Sequence, residues 1–264
     1  MNLFKVICLL CINTSTAYAQ LNDSISVAPS IKGYPCNDTL QKEKTSSFHF
    51  IKPLIIPTAF ATYGFIALGN NGLKKMDDNI QQCIQRKYPT FSTHLDDYIE
   101  FAPLVTVYGL NAVGIHGKNN FRDRSTIIGM SALMLTAANV TIDHLIKKER
   151  PDGSDFRSFP SSHTAAAFAT AEFLHQEYKD VSILYSIAGY TAAIATGALR
   201  VYNNKHWFSD VVIGAGMGIL ATKASYWIYP ILQKGIFKNK SAYNTIAIPY
   251  YNGNSGGILL THTL

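Results

Sequence analysis

Charged residues are scarce in this sequence. Asp, Glu, Lys and Arg make up 15% of its 264 residues, well below the fraction usual in soluble globular proteins. The 23 Lys and Arg residues form no dense basic block, so we expect no nucleic-acid partner. The mean hydropathy of +0.06 lies between that of a soluble enzyme and that of a densely embedded membrane protein. Composition alone therefore does not decide whether the chain spans a membrane.

Cysteine is also rare, and two of the four cysteines lie near the N-terminus. Around them the chain combines Lys5, the apolar run Val6–Ile12 and an Ala-x-Ala site at Ala17–Ala19, a pattern typical of a secretory signal peptide. We predict that Met1–Ala19 is a signal peptide and that the protein is exported. The alternative is a membrane anchor, for which the apolar run is short.

Two cysteines remain after the predicted signal peptide, Cys36 and Cys83. An even number in an exported protein is compatible with a disulfide between them. Two unpaired thiols are the alternative that the sequence leaves open.

Apolar segments dominate the chain after a polar lead-in at residues 20–52. We predict an all-α helical domain over residues 53–235 and a tail at 236–264. Two β-prone runs flank Asn-Gly-Asn-Ser-Gly-Gly in the tail and predict a short β-hairpin. Six apolar segments predict six helices: Pro53–Gly69, Phe101–Ile115, Ser125–Ile142, Thr164–Leu174, Val181–Leu199 and Val211–Ile228.

Two of these segments, Val181–Leu199 and Val211–Ile228, are uncharged and long enough to span a membrane. Ser125–Ile142 is borderline in length, and Thr164–Leu174 is short and contains Glu172. Small residues in several segments allow close helix packing in lipid, and they would serve equally in a buried soluble helix. The expected fold is a six-helix bundle embedded in a membrane, with a soluble bundle as the alternative.

Polar clusters interrupt the apolar segments at three places, and polar groups beside apolar helices require an explanation. The clusters are Lys147–Pro151 after the third segment, Arg157–His163 before the fourth, and Arg200–Asp210 between the last two. Taken singly, their residues have ordinary explanations, such as capping a helix end. Taken together, they recur at helix ends in an order that can bring them to one place.

The clusters contain the groups that phosphoryl transfer requires. Arg150 and Arg200 offer planar forks of donors that suit a phosphate. His206 and Asp210 are four residues apart and share a helix face, so the carboxylate can fix the imidazole tautomer and leave the other nitrogen as a nucleophile. His163 lies where it can pass a proton to a leaving group.

The expected ligand of these clusters is an anion rather than a cation. Ser161 and Ser162 precede a helical run, where backbone N–H groups point at an anion. His163, His206 and Asp210 are the ligands of a competing metal site, but the Arg and Lys residues nearby would repel a cation. We therefore predict no metal ion and no other cofactor.

The three clusters resemble the three-part signature of the type 2 phosphatidic acid phosphatase superfamily, which includes lipid phosphatases, bacterial acid phosphatases and vanadium-dependent haloperoxidases. Its first part is Lys, six residues and Arg-Pro, matched at Arg150–Pro151. Its second is Pro-Ser-Gly-His, matched at Pro160–His163. Its third is Arg, five residues, His, three residues and Asp, matched across Arg200–Asp210. The resemblance covers about residues 125–229, the implied catalytic core, and implies an all-α helical fold.

The resemblance also implies a role for each matched residue. It makes His206 the nucleophile, Asp210 its orienting carboxylate and His163 the general acid. The implied phosphate binders are Arg150, Arg200, Ser161 and the backbone at Ser162, with Lys147 as a further candidate.

Three positions depart from the signature. Asp143 stands where the family has its Lys, and Ser162 replaces the usual Gly. Leu199 stands where the family has a Ser directly before the Arg of the third part. We expect Lys147 or Lys148 to replace the lost positive charge. We expect Asp143 to affect rate and substrate range but not the basic chemistry, because the catalytic histidines and their aspartate are intact.

The function implied by the resemblance is hydrolysis of a lipid phosphate or diphosphate ester through a phospho-histidine, without a metal. The alternatives are a soluble periplasmic acid phosphatase of broad specificity, a vanadate-dependent haloperoxidase, and an inactive membrane protein, which Asp143 motivates. Phe101–Ile115 has a short apolar run and an acidic start, so we expect that it does not cross the membrane and that the site faces the periplasm. The sequence identifies neither the lipid nor the oligomeric state.

Overall fold

A computed structural model describes residues 48–236, 244–251 and 256–263. The predicted signal peptide, most of the polar lead-in and Cys36 lie outside these ranges. Cys83 is exposed and carries a free thiol. The described ranges contain eight helices and two strands: α1 (Phe48–Ala67), α2 (Gly72–Lys87), α3 (Asp96–Ile99), α4 (Ala102–Ala112), α5 (Phe121–Leu145), α6 (Ser162–Tyr178), α7 (Ile183–Tyr202), α8 (Phe208–Ile236), β1 (Asn244–Tyr251) and β2 (Gly256–Thr263).

Polar side chains fix where several helices begin. Asn71 caps α2, because its Oδ1 accepts from the backbone N–H of Leu73 at 2.9 Å. Asn120 caps α5 and Ser182 caps α7 in the same way. Helix α2 is polar and amphipathic, and α3 has only four residues. Neither therefore lies in one of the six apolar segments that predict helices.

Two helices are long and apolar enough to cross a membrane, α5 and α8, the latter over Phe208–Lys234. A third crossing is reached if the bent pair α1 and α2, which meet at 88°, counts as one span. The borderline segment Ser125–Ile142 thus lies in a candidate span. Val181–Leu199 does not, because α7, which also contains Arg200, is not among the candidate spans of the described residues.

Helix α6 lies at the centre of the described bundle. Twelve of its 17 residues are buried. It packs against α7 and α8, and small residues such as Ala165, Ala169 and Ala171 form its contact surfaces. Because these side chains are short, the helix axes approach closely.

The long helices run between the same two ends of the bundle, which we name the Ser161 end and the Tyr178 end after the termini of α6. In α7, Ser186 contacts His175 toward the Tyr178 end, and Gly197 lies beside Thr164 toward the Ser161 end. In α8, Tyr226 donates a hydrogen bond of 2.6 Å to Glu177. Helix α8 therefore starts at the Ser161 end and finishes at the other.

The segment around α4 extends along α6, and it is not among the candidate membrane spans of the described residues. Asp97 in α3 lies 3.1 Å from His163 at the Ser161 end. The hydroxyl of Tyr178 donates to the carbonyl of Ile115 at 2.9 Å, at the opposite end. An 11-residue helix is only about 16 Å long, but α3 and the flanking residues extend it, so the segment runs the length of α6.

The tail contains the only two strands of the described residues. β1 pairs antiparallel with β2, from Asn244 opposite Thr263 to Tyr251 opposite Gly256. These strands coincide with the two β-prone runs of the sequence.

Candidate active site

His206 lies in the loop between α7 and α8, with only 2% of its surface exposed. Its Nδ1 is 2.7 Å from the carbonyl oxygen of Ser158. A carbonyl oxygen can only accept, so in the neutral ring Nδ1 carries the proton and donates it. Nε2 is then left with a free lone pair, as a nucleophile requires.

The surroundings of His206 keep its ring neutral. Burial, together with the positive charges of Arg200 and Arg150, lowers the pKa of His206 to about 3. The hydrogen bond to Ser158 opposes this shift without cancelling it. At neutral pH the imidazole is therefore unprotonated and able to attack an electrophile.

Asp210 does not hold the ring directly, which corrects the predicted role of its carboxylate. Its Oδ2 is 4.0 Å from Nδ1 of His206. The same oxygen accepts hydrogen bonds from the hydroxyl of Ser158 at 2.6 Å and the backbone N–H of Trp207 at 3.0 Å. Asp210 thus orients His206 indirectly, by fixing the residue whose carbonyl binds the ring.

Lys148, rather than Lys147, enters the site. Its Nζ donates to Asp210 at 2.8 Å and to Ser209 at 3.0 Å. Lys147 is exposed and donates 2.7 Å to the backbone carbonyl of Asp143, where it caps the end of α5. Both lysines thus have protein acceptors, Lys148 at the site and Lys147 at the end of α5.

Two guanidinium groups supply buried donors beside His206. Within the described chain, Nε of Arg150 and Nε of Arg200 are both buried without a hydrogen-bond partner. Nη1 of Arg200 is occupied by Asp96 at 2.7 Å. A buried donor without a partner costs about 1–3 kcal/mol, so these N–H groups favour binding of an acceptor such as a phosphate oxygen.

The two serines of the second motif have different positions. Ser161 is fully buried as the N-cap of α6, with its hydroxyl 2.9 Å from that of Thr164. Its backbone N–H donates to the carbonyl of Asp210 at 3.1 Å, which joins the second motif to the third. Ser162 is exposed in the first turn of α6, where the helix dipole favours an anion.

His163 sits in the same turn and is half-buried. Its Nε2 lies 3.1 Å from Oδ1 of Asp97. Burial and the charge of Arg200 lower the pKa of His163, while the carboxylates of Asp97 and Asp96 raise it, and the net shift is downward. The structure therefore brings His163, Arg200, Arg150 and His206 together, as the sequence predicts.

Residues of α2 also support the site, and sequence reasoning missed them. Asp77 is buried and accepts 2.9 Å from the backbone N–H of Ser209. One turn later Gln81 donates to Asn204. The i, i+4 spacing of two polar residues on one face was the available signal, but it carries information only once α2 is known to be a helix. Among the described residues, no three His, Cys, Asp or Glu side chains are grouped to hold a metal ion.

Comparison with known proteins places this site in a family context. The model of the PAP2 superfamily matches residues 115–234, which include all three motifs. The lipid A 1-phosphatase of Porphyromonas gingivalis is 37% identical over 174 residues, which cover 64% of this chain. The match spans 37% of the length of that relative.

Two solved structures are similar to the chain. The crystal structure of Aquifex aeolicus LpxE has a TM-score of 0.43 and 20% identity, and the match covers 55% of this chain and 93% of that one. A transmembrane PAP2-type phosphatidylglycerolphosphate phosphatase from Bacillus subtilis has a TM-score of 0.44 and 21% identity, with 74% of this chain and 100% of that one covered.

Proposed function

We propose that the protein is a phosphatase of the PAP2 superfamily, whose family model matches residues 115–234, and that it hydrolyses a lipid phosphate or diphosphate ester. The observation that carries the proposal is the pairing of a neutral His206, whose Nε2 is free, with two buried guanidinium N–H groups that have no protein partner. A nucleophile beside unsatisfied donors is what transfer of an anionic phosphoryl group needs.

The proposed reaction has two steps. In the first, the lone pair on Nε2 of His206 forms an N–P bond while the P–O bond to the leaving group breaks, and His163 gives a proton to the leaving oxygen. In the second, neutral His163 takes a proton from water as its oxygen attacks phosphorus. The N–P bond breaks, its electron pair returns to Nε2, and phosphate is released.

Positive charge for the transferring phosphoryl group comes from Arg150 and Arg200 in this proposal. Both guanidinium charges act on His206 at close range, and their Nε–H groups face no protein acceptor. A planar donor fork binds phosphate oxygens in a defined geometry. The mechanism therefore routes no step through a metal ion.

A lipid is the proposed substrate class because apolar helices surround the site and two of them are candidate membrane spans. The similarity to a lipid A 1-phosphatase makes a lipid A phosphate the first substrate to test. Phosphatidate, phosphatidylglycerol phosphate and a polyprenyl diphosphate complete the panel. In the proposed location the protein lies in the inner membrane with its site at the periplasmic face.

Phosphate release from this panel tests the proposal. We expect the purified protein to release phosphate from at least one lipid, and His206→Ala to lower the rate by about three orders of magnitude or more. His116→Ala is the matched control, because His116 is exposed and lies near the Tyr178 end. Undiminished activity in His206→Ala would overturn the assigned nucleophile, and an inactive wild type on every lipid would overturn the proposed function.

A further inference from the structure

Two aspartates outside the three motifs reach the candidate site. Asp96 is 1% exposed, and it accepts 2.7 Å from Nη1 of Arg200 and 3.1 Å from the side-chain amide of Asn203. Asp97 directs Oδ1 to Nε2 of His163 at 3.1 Å, and the same oxygen lies 3.9 Å from Nη1 of Arg200. Asp96 thus contacts Arg200, and Asp97 contacts both His163 and Arg200.

We propose that Asp97 is a positioning residue that holds the imidazole of His163 by Nε2 and leaves Nδ1 to face the leaving oxygen. The inference rests on the proposed function, in which His163 is the proton donor. The Nδ1–H proton passes to the leaving oxygen, and Nε2–H stays on Asp97. In the second step the proton from water returns to Nδ1, so His163 is restored with its contact to Asp97 unbroken.

The charges around His163 explain why a donor needs such a partner. Burial and Arg200 hold the pKa of His163 below its usual value of 6.5, while Asp97 and Asp96 raise it. His206 also faces the ring, but it is neutral at the pH of interest. Loss of the Asp97 carboxylate removes a stabilising charge, so a smaller fraction of His163 is protonated near neutral pH.

Asp97 is not needed to hold the fold together. Its side chain is 42% exposed, and its second oxygen lies 3.3 Å from Nδ1 of His94, whose side chain is 88% exposed. Its other acidic neighbour is Glu100, whose pKa burial and Asp97 raise to about 7. Exposed ion pairs contribute little to stability, so Asp97→Asn is expected to fold.

Titration of His163 tests the contact without turnover. The protein is labelled isotopically at histidine and studied in detergent micelles. The His163 signal is identified from its absence in His163→Gln. We expect Asp97→Asn to lower the pKa of His163 by about one unit. His94→Gln is the matched control, since it removes the exposed partner of Asp97 and leaves the contact with His163 in place. An unchanged titration of His163 in Asp97→Asn would overturn the proposal.

The pH–rate profile supplies the kinetic test. In Asp97→Asn we expect kcat at pH 7.5 to fall about tenfold, because the alkaline limb moves down by about one unit, and we expect the loss to shrink steadily as pH is lowered. A loss of equal size at every pH would mean a structural effect and would contradict the assignment. A wild type without activity would refute the proposed function, whereas the titration reports on Asp97 independently of it.

Discussion

A backbone carbonyl decides which nitrogen of His206 is free to act as the proposed nucleophile. Because the carbonyl oxygen of Ser158 can only accept, the proton of the neutral ring stays on Nδ1. The carboxylate of Asp210 acts one step further out, on the Ser158 hydroxyl, and Lys148 compensates its buried charge. In this arrangement the carbonyl of Ser158 binds the ring, where in a direct His–Asp pair the carboxylate would bind it. Nε2 of His206 is free in both arrangements.

In the proposed mechanism the two histidines have opposite tasks, and these tasks predict the pH dependence of catalysis. His206 must be neutral and has a pKa of about 3, and His163 must be protonated and has a pKa below 6.5. After correction for ionisation of the substrate phosphate, we expect kcat/KM to be highest above the pKa of His206, about 3, and to fall as pH rises through the lowered pKa of His163. An optimum above pH 8 would contradict these roles.

Protein stability has its own pH dependence at this residue. The pKa of His206 is depressed in the folded state, so folding favours the neutral ring. This contribution to stability is present above the unfolded value of about 6.5 and is lost progressively as pH falls toward 3. Thermal unfolding at pH 7 and pH 4 would show the difference as a lower Tm at pH 4.

At the scale of helices, the contact between α6 and α8 brings the second and third motifs together. A side chain at Gly214 would lie 2.7 Å from the carbonyl oxygen of Ser161, and one at Gly218 would collide with the carbonyl oxygen of Ala165. The helices approach so closely that only glycine fits at these positions. The same contact sets the 3.1 Å backbone bond from Ser161 to Asp210.

Gly218→Ala tests this contact. The added methyl group has no room against the α6 backbone, so we expect a loss of about 1–3 kcal/mol in the free energy of unfolding and reduced activity. Gly129→Ala is the matched control, since a side chain at this helical position in α5 meets no atom within 4 Å. It should be neutral or stabilising by up to about 1 kcal/mol. Equal unfolding in detergent for both variants would contradict the packing described.

At the scale of the whole molecule, the site lies at one end of the bundle and the start of α1 at the other. Gly64 in α1 lies against Ile213 in α8, and Gly216 lies against the carbonyl of Pro57, so the two helices are antiparallel. If α1 crosses the membrane, a periplasmic site places Phe48 on the cytoplasmic side. A cleaved signal peptide would place Phe48 on the periplasmic side. In a bundle that spans the membrane, the predicted signal peptide and the predicted periplasmic site therefore exclude each other.

Cysteine labelling decides the orientation. In a chain whose native cysteines are replaced by serine, we expect Ser154→Cys near the site to react with a membrane-impermeant maleimide added from the periplasmic side. Lys118→Cys, at the Tyr178 end, should react only after the membrane is opened, since its backbone N–H bonds to Glu177. Reaction of both positions from one side would contradict a bundle that crosses the membrane. If Lys118→Cys reacts from the periplasmic side and Ser154→Cys does not, the site faces the cytoplasm. That orientation is compatible with a cleaved signal peptide.

Much of this protein is determined by local sequence. Long apolar segments predict the helices that carry the bundle, because burying an apolar face needs only residues close together in the chain. The spacing within the third motif likewise predicts that His206 and Asp210 lie near each other, although Ser158 stands between their side chains. Taken together, the three motifs predict the main residues of the candidate site, including Arg150, His163 and Arg200.

Other features were decided only by the tertiary structure. The extended chain after α5, in which Lys148 forms a β-bridge with Arg157, brings Lys148 rather than Lys147 to the site. The distant α2 and α3 supply Asp77 and Asp97. The hydrogen bonds involved join residues 48 to 132 positions apart, from Ser158 with His206 to Asp77 with Ser209. Such contacts depend on how whole helices pack, and packing is set by the summed fit of many side chains rather than by any short stretch of sequence.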